Sequence, residues 1–261
     1  MTRPKKRRKP PRQPKSLQVA YWVHLRRLTR YAQRLVKERL VPLLPMLMER
    51  ATPSAYQDAL PPGKRAQHVL EAIRNQMAKA TRQELVERAP RAIGKLVAER
   101  NAHILEGQGI EAKLNGTKKA IDAFTAENVA LIRSVPVDYL QEVETAVHRA
   151  MTAGERHETL AKTIAERGGV MENRAKLIAR DQVLKFNGSL NRVRQQAAGV
   201  DSYIWRTVED ERTRAAHADF DGNTYTWAEG AGDGSPEEGV HPGEAINCRC
   251  WSEPILPDLE D

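Results

Sequence analysis

Gln195-Gln196-Ala197-Ala198-Gly199-Val200-Asp201-Ser202-Tyr203-Ile204-Trp205-Arg206-Thr207-Val208 is the stretch that divides this chain in two. Before Gly199, apolar residues recur at helical spacing. After it, Ser202 to Val208 alternates and is rich in aromatic and β-branched side chains, the pattern of a strand. Glycine suits the junction because it can end a helix in the left-handed conformation without a Cβ penalty. Downstream, Asp221-Gly222-Asn223 is a hairpin-type turn signal, Thr224 to Trp227 a second short strand, and Cys248 to Ile255 a third. The Gly-rich acidic segment from Glu229 to Gly239 reads as an exposed loop.

Upstream of Gly199 everything reads as helix and turn. Leu17, Ala20, Tyr21, Leu25, Leu28, Ala32 and Leu35 open a first helix with Ser16 as its N-cap, and Pro42 and Pro45 stop it. The four prolines between Thr52 and Gly63 mark a linker. A long helical segment follows from about 64 to 105, broken at Pro90 and closed by Gly107-Gln108-Gly109. Helices are then expected at about 116–134, 137–152, 156–167 (ended by Gly168-Gly169) and 172–198. The predicted fold is mainly α with a small C-terminal α+β unit: long helices, then a short β-hairpin-containing domain. The expected divisions are a disordered basic arm (1–15), a helical region (16–135), and a last domain (136–261) whose β-rich part covers 200–256.

The charge is polarised along the chain. The net charge of +8 rests on the first fifteen residues, where Arg3, Lys5, Lys6, Arg7, Arg8, Lys9, Arg12 and Lys15 stand with no acid, whereas 201–261 carries fifteen acids against four bases. Such a proline-punctuated arm cannot bury apolar surface. It can bind phosphates of double-stranded DNA without sequence preference, contact an acidic protein surface, or act as a solvated arm. Mean hydropathy is −0.61, and no apolar run approaches the roughly 20 residues that span a bilayer. No membrane partner or secretory signal is expected. One Cys-x-Cys pair is no disulfide framework, which suggests a reducing compartment.

Chemistry-bearing residues gather in the last quarter. Cys248 and Cys250, two apart, share a face if they lie on a strand, and with His217 and His241 they make a set soft enough for a structural zinc. The competing reading is two cysteines packed as small hydrophobes. Asp210, Arg212, Arg214, Asp221 and Gly222, with Arg180 and Asp181 upstream, read as an ion-pair and turn network that orders loops. His217, Asp219, Asp221 and His241 could instead centre a metal-dependent enzyme acting on nucleic acid. However, no nucleophile with a base and no phosphate-cradling loop accompanies them, so no catalytic residue is assigned and no enzyme is expected. A free DNA-binding regulator is disfavoured by the lack of a recognition-helix unit.

Taken in order, these fragments resemble the phage Mu F-like head morphogenesis, or minor capsid, family over roughly Val137 to Cys250. Ala175-Lys176-Leu177-Ile178-Ala179-Arg180-Asp181-Gln182 with Asn187, Asn191 and Arg194 resembles its opening helix, and Tyr203-Ile204-Trp205 its first strand. Asp210-Glu211-Arg212-Thr213-Arg214 with His217 and Asp221-Gly222 resembles its central motif, while His241-Pro242 and Asn247-Cys248-Arg249-Cys250 resemble its closing motif. The resemblance implies a virion protein of tailed phages or prophages. It would act beside the portal protein, and with major capsid or scaffold proteins, during procapsid assembly in the host cytoplasm. It would be retained inside the capsid near the portal, where the arm could meet packaged DNA.

Overall fold

The structure, a computed structural model, describes residues 11, 13–48, 61–112, 117–232 and 239–256. Of the basic-arm residues, Arg3, Lys5, Lys6, Arg7, Arg8, Lys9 and Arg12 lie outside these, as do most of the expected linker and the middle of the acidic loop. The elements are α1 (Lys15–Arg39), a 3-10 turn (Val41–Leu43), α2 (Leu44–Met48), α3 (Pro62–Ala80), α4 (Gln83–Val86), α5 (Arg88–Glu106), α6 (Thr117–Ala153), α7 (His157–Ala197), β1 (Ser202–Arg206), α8 (Ala215–Asp219), β2 (Thr224–Thr226) and β3 (Trp251–Pro254). The expected fold class holds: long helices precede a small antiparallel sheet of order β2-β1-β3.

Several boundaries differ from the sequence reading. Helix α1 starts at Lys15, so Ser16 sits in its first turn and not at the N-cap; the N–H groups of Leu17 and Gln18 both go to the Pro14 carbonyl. Gln13 Nε2 donates to the Arg249 carbonyl at 3.0 Å and Pro14 is buried, so residues 13–15 of the expected arm belong to the folded body. The break expected at Pro90 falls at 81–87 instead. Pro90 is the third residue of α5, where its missing N–H costs no helical bond. Helix α6 runs through Pro136, and its buried residues Ile132, Val135, Tyr139 and Leu140 flank the missing bond on both sides. Helix α7 runs through Gly168-Gly169. A Cβ on Gly168 would lie 2.9 Å from Gln33 Nε2, which donates to the Gly168 carbonyl at 2.7 Å, so this glycine serves a close approach and not a stop.

Two compact units share these elements: residues 21–90 with 126–179, and residues 1–20 with 91–125 and 180–261. The expected boundary at 135/136 lies within α6. Among the described residues, the first unit consists of helices and turns. Tyr21, Leu25, Ala32, Leu35 and Val36 form the buried stripe of α1, and Ala66, Leu70, Ile73 and Met77 that of α3. Tyr21 donates to Asn128 Oδ1 at 2.7 Å, and Arg26–Glu172 and Arg74–Glu144 pair at 2.7 and 2.6 Å. Such part-exposed ion pairs contribute up to about 1 kcal/mol each. Burial contributes about 1.5–3 kcal/mol for each large apolar side chain, so the stripes hold the unit together.

The second unit holds the sheet. Helix α7 ends in a left-handed Gly199 (φ +77), with Val200 N–H on the Gln195 carbonyl and Gly199 N–H on that of Gln196. Helix α5 ends the same way at Gly109 (φ +86), with Ile110 N–H on the Leu105 carbonyl. The residues after the two glycines, Ile110 and Val200, then bury together with Leu105. Arg194, 4% exposed on α7, donates to the Ala98 carbonyl and to Asn101 Oδ1, both at 2.8 Å. Arg194→Met would leave the buried Asn101 Oδ1 without this donor and remove the second bond of the Ala98 carbonyl, which keeps its helical one. A loss on the order of 2 kcal/mol is expected, read as a lower urea midpoint.

Strand β1 lies between its partners, with Tyr203 opposite both Tyr225 and Pro254. Its burial alternates, so Tyr203 and Trp205 share the inner face and form a core with Phe220, Trp227 and Ala231. The turn expected at Asp221-Gly222 is present, with Gly222 at φ +85 and its N–H on the Trp205 carbonyl. It is not a tight hairpin, because α8 intervenes between β1 and β2.

Candidate functional site

His217 is the third residue of the five-residue helix α8, which projects its ring inward to 2% exposure against Trp205, edge-on at 5.2 Å between centroids. Cys248 and Cys250 come from the segment just before β3, which starts at Trp251 and not at the expected Cys248. That segment is shaped by Asn247, which adopts a left-handed φ of 57°, a conformation Asn tolerates better than most residues. Asp181 Oδ1 on α7 accepts the Asn247 N–H at 2.7 Å, and Arg214 donates to the Ile246 carbonyl at 2.9 Å. Both cysteines thereby reach the imidazole: each Sγ lies 3.5 Å from His217 Nδ1, and the three donor atoms all lie within 4.8 Å of one another. The cysteines are free thiols. The hydrogen bond from Cys250, with help from His217, holds the Cys248 thiol well below its ordinary range, and its neighbour and burial push Cys250 up.

His241 does not join them, which corrects the four-ligand expectation. Its Nδ1 lies 3.0 Å from the Tyr203 hydroxyl, its ring rests 5.3 Å from that of Trp227, and its backbone N–H donates to Glu244 Oε2 at 2.8 Å. Burial holds its pKa below the usual imidazole value. The reason lies in β1. Tyr203 and Trp205 stand two residues apart on one face, about 7 Å along the strand, and each takes one histidine. The grouping His217, Asp219, Asp221 and His241 does not assemble either. Asp219 is exposed at the end of α8, whereas Asp221 Oδ1 accepts from the Thr207 N–H at 2.7 Å and its hydroxyl at 3.2 Å, closing the end of β1.

The ionic residues gather beside the thiols. Arg249 grips Asp210 with both terminal nitrogens, and the Arg212 N–H donates to Asp210 Oδ1 at 3.1 Å. Arg180 lies near enough to Arg212 and Arg249 that burial first, then their charges, lower its pKa. With Lys15 at the start of α1, these residues line a groove of about 1170 Å³. The Arg249 hydrogen bonds hold the Asp210 carboxyl down at about 2 from an ordinary 3.8. Because the folded pKa is depressed, the pair's contribution is present above pH 3.8 and fades as pH falls through about 2. In Arg249→Met the Asp210 midpoint should return toward 3.8, as a carboxyl NMR titration would read.

The sequence reading missed Gly188 and Gly243. A Cβ on Gly188 would fall 2.9 Å from the Pro242 carbonyl oxygen and 3.2 Å from Gly243 Cα, so α7 and the 241–250 segment touch backbone to backbone there. The available signals were a glycine inside a helical pattern and the turn dipeptide Pro242-Gly243.

The family model for Phage Mu protein F like proteins matches residues 141–252, which take in His217, Cys248, Cys250 and the arginines beside them. Residues 141–252 are similar to the phage Mu protein F-like family. The Mu F-like segment opens within α6, includes all of α7 and closes in β3, just past Cys250. An uncharacterized protein of Haemophilus influenzae is 39% identical over 146 residues, 56% of this chain and 31% of the relative. The chain therefore spans about a third of that relative's length. No solved structure matches the chain. Among the described residues, no helix is long and apolar enough to cross a membrane.

Proposed function

We propose that the chain is a phage minor capsid, or head morphogenesis, protein that associates with the portal and with capsid or scaffold subunits during procapsid assembly. It works by binding and not by turnover, and it resides in the capsid interior near the portal after assembly in the host cytoplasm. The observation that carries this reading is the Mu F-like match over 141–252, which covers β1, β2, the thiol cluster and the arginines of the groove.

The basic arm contacts packaged double-stranded DNA through its phosphates. Support comes from the charge run Arg3, Lys5, Lys6, Arg7, Arg8, Lys9, Arg12 and Lys15, whose last member sits exposed at the rim of the arginine groove. Each phosphate contact steepens the salt dependence of binding by about 0.9 in log–log slope. Removing residues 2–12 leaves Gln13 and Pro14 in place. That truncation should keep the melting temperature, weaken DNA binding and flatten the salt slope. Equal DNA affinity and slope with and without the arm would remove DNA from the reading.

A further inference from the structure

We propose that His217, Cys248 and Cys250 hold one zinc ion that clips α8 to the segment before β3. Its three protein ligands are His217 Nδ1 and the two Sγ atoms. The geometry fits a metal better than it fits hydrogen bonds alone. Zinc bonds of about 2.3 Å to sulfur and 2.0–2.1 Å to imidazole nitrogen, at a tetrahedral angle, place the nitrogen about 3.5 Å from each sulfur. Both separations are 3.5 Å. Hydrogen bonding alone has to divide one imidazole nitrogen evenly between two sulfurs in a three-centre bond, whereas a shared metal produces both equal contacts directly.

The donor chemistry agrees. Two thiolates and a neutral imidazole are a soft set suited to zinc, and two thiolates balance its charge. A cavity of about 20 Å³ touches all three ligands and is lined by Thr213, Arg214 and Asn247 among others, room for one water-sized fourth ligand. The surroundings give the clip a purpose. The sheet comprises three short strands of five, three and four residues. Small units of this kind commonly need a metal or disulfide staple, and the cysteines here are not bonded to each other. The site stands whether or not the chain binds a portal.

The test uses the full chain, purified from zinc-supplemented cells. Elemental analysis should give about one zinc per chain, and cobalt(II) exchanged into the site should show thiolate-to-cobalt charge transfer and the intense visible bands of a tetrahedral ion. Cys248→Ser with Cys250→Ser, and His217→Asn, should lose the zinc at least tenfold more readily to a chelator. His241→Asn should keep both the zinc and the cobalt spectrum, because His241 belongs to the Tyr203 and Trp227 side. If the cysteine variant fails to fold, chelator treatment of the parent chain decides. Zinc removal should lower its melting temperature, and zinc, but not magnesium, should restore it. Metal-free parent protein, a melting temperature indifferent to chelator, or zinc lost from a folded His241→Asn would each overturn the assignment.

Discussion

Replacing Trp205 by alanine should cost about 3–5 kcal/mol of unfolding free energy, the range for deleting a fully buried large aromatic. Trp205 is 0% exposed on the strand that both others pair with, and its ring meets those of His217, Phe220 and Tyr225 at 5.2, 5.1 and 6.2 Å. Cys250 packs on the same core. Removing the indole therefore takes away the surface against which α8 places His217. Native-state hydrogen exchange would show the amides of Ser202–Arg206 and Trp251–Pro254 losing protection while those of α3, in the helical unit, keep theirs. A denaturation midpoint within about 1 kcal/mol of the parent would mean that the sheet does not depend on this residue.

Gly188→Val should be the most damaging single change on α7. The added Cβ would meet the Pro242 carbonyl oxygen at 2.9 Å and Gly243 Cα at 3.2 Å, and both are backbone atoms that cannot swing aside as a flexible side chain would. Gly243 itself sits at φ +94, where a side chain would be strained, so neither partner of the contact tolerates replacement. Overpacking costs about 1–3 kcal/mol for an added methyl, and the branched valine adds more. The segment from His241 to Cys250 has to lift away from the helix to relieve the clash. The expected result is a lower melting temperature together with Cys248 and Cys250 reacting quickly with a thiol reagent. Unchanged stability with both thiols still protected would show that the segment is held without this contact.

What the sequence disclosed follows from how local each signal is. The switch at Gly199 was legible because a helix C-terminus needs a left-handed residue there, and β1 because aromatic alternation over seven residues has one simple explanation. Pro90, Pro136 and Gly168-Gly169 misled for one shared reason. Proline and glycine report local helix preference, worth about 1 kcal/mol for glycine and about 3 for proline in a helix interior. Position in the first turn, long buried faces on α6, and a close approach by Gln33 decided the outcome instead. Among the site residues, the partnership of His217 with the cysteines was readable from residue type. The exclusion of His241 was not, because it depends on which aromatic residue of β1 each histidine packs against. Asp181 was read with the ionic network around Asp210, whereas its bond is to the Asn247 N–H of the closing motif, a contact that depends on the left-handed turn there.

The measurement that tests the central reading most directly is co-purification of the full chain with the portal protein encoded in the same genome neighbourhood, each expressed in the presence of the other. Stable co-elution at a defined stoichiometry, kept at salt concentrations that remove DNA and retained by the chain lacking residues 2–12, is the predicted result. A folded chain that binds neither that portal protein nor the capsid proteins encoded with it would contradict the head-protein reading.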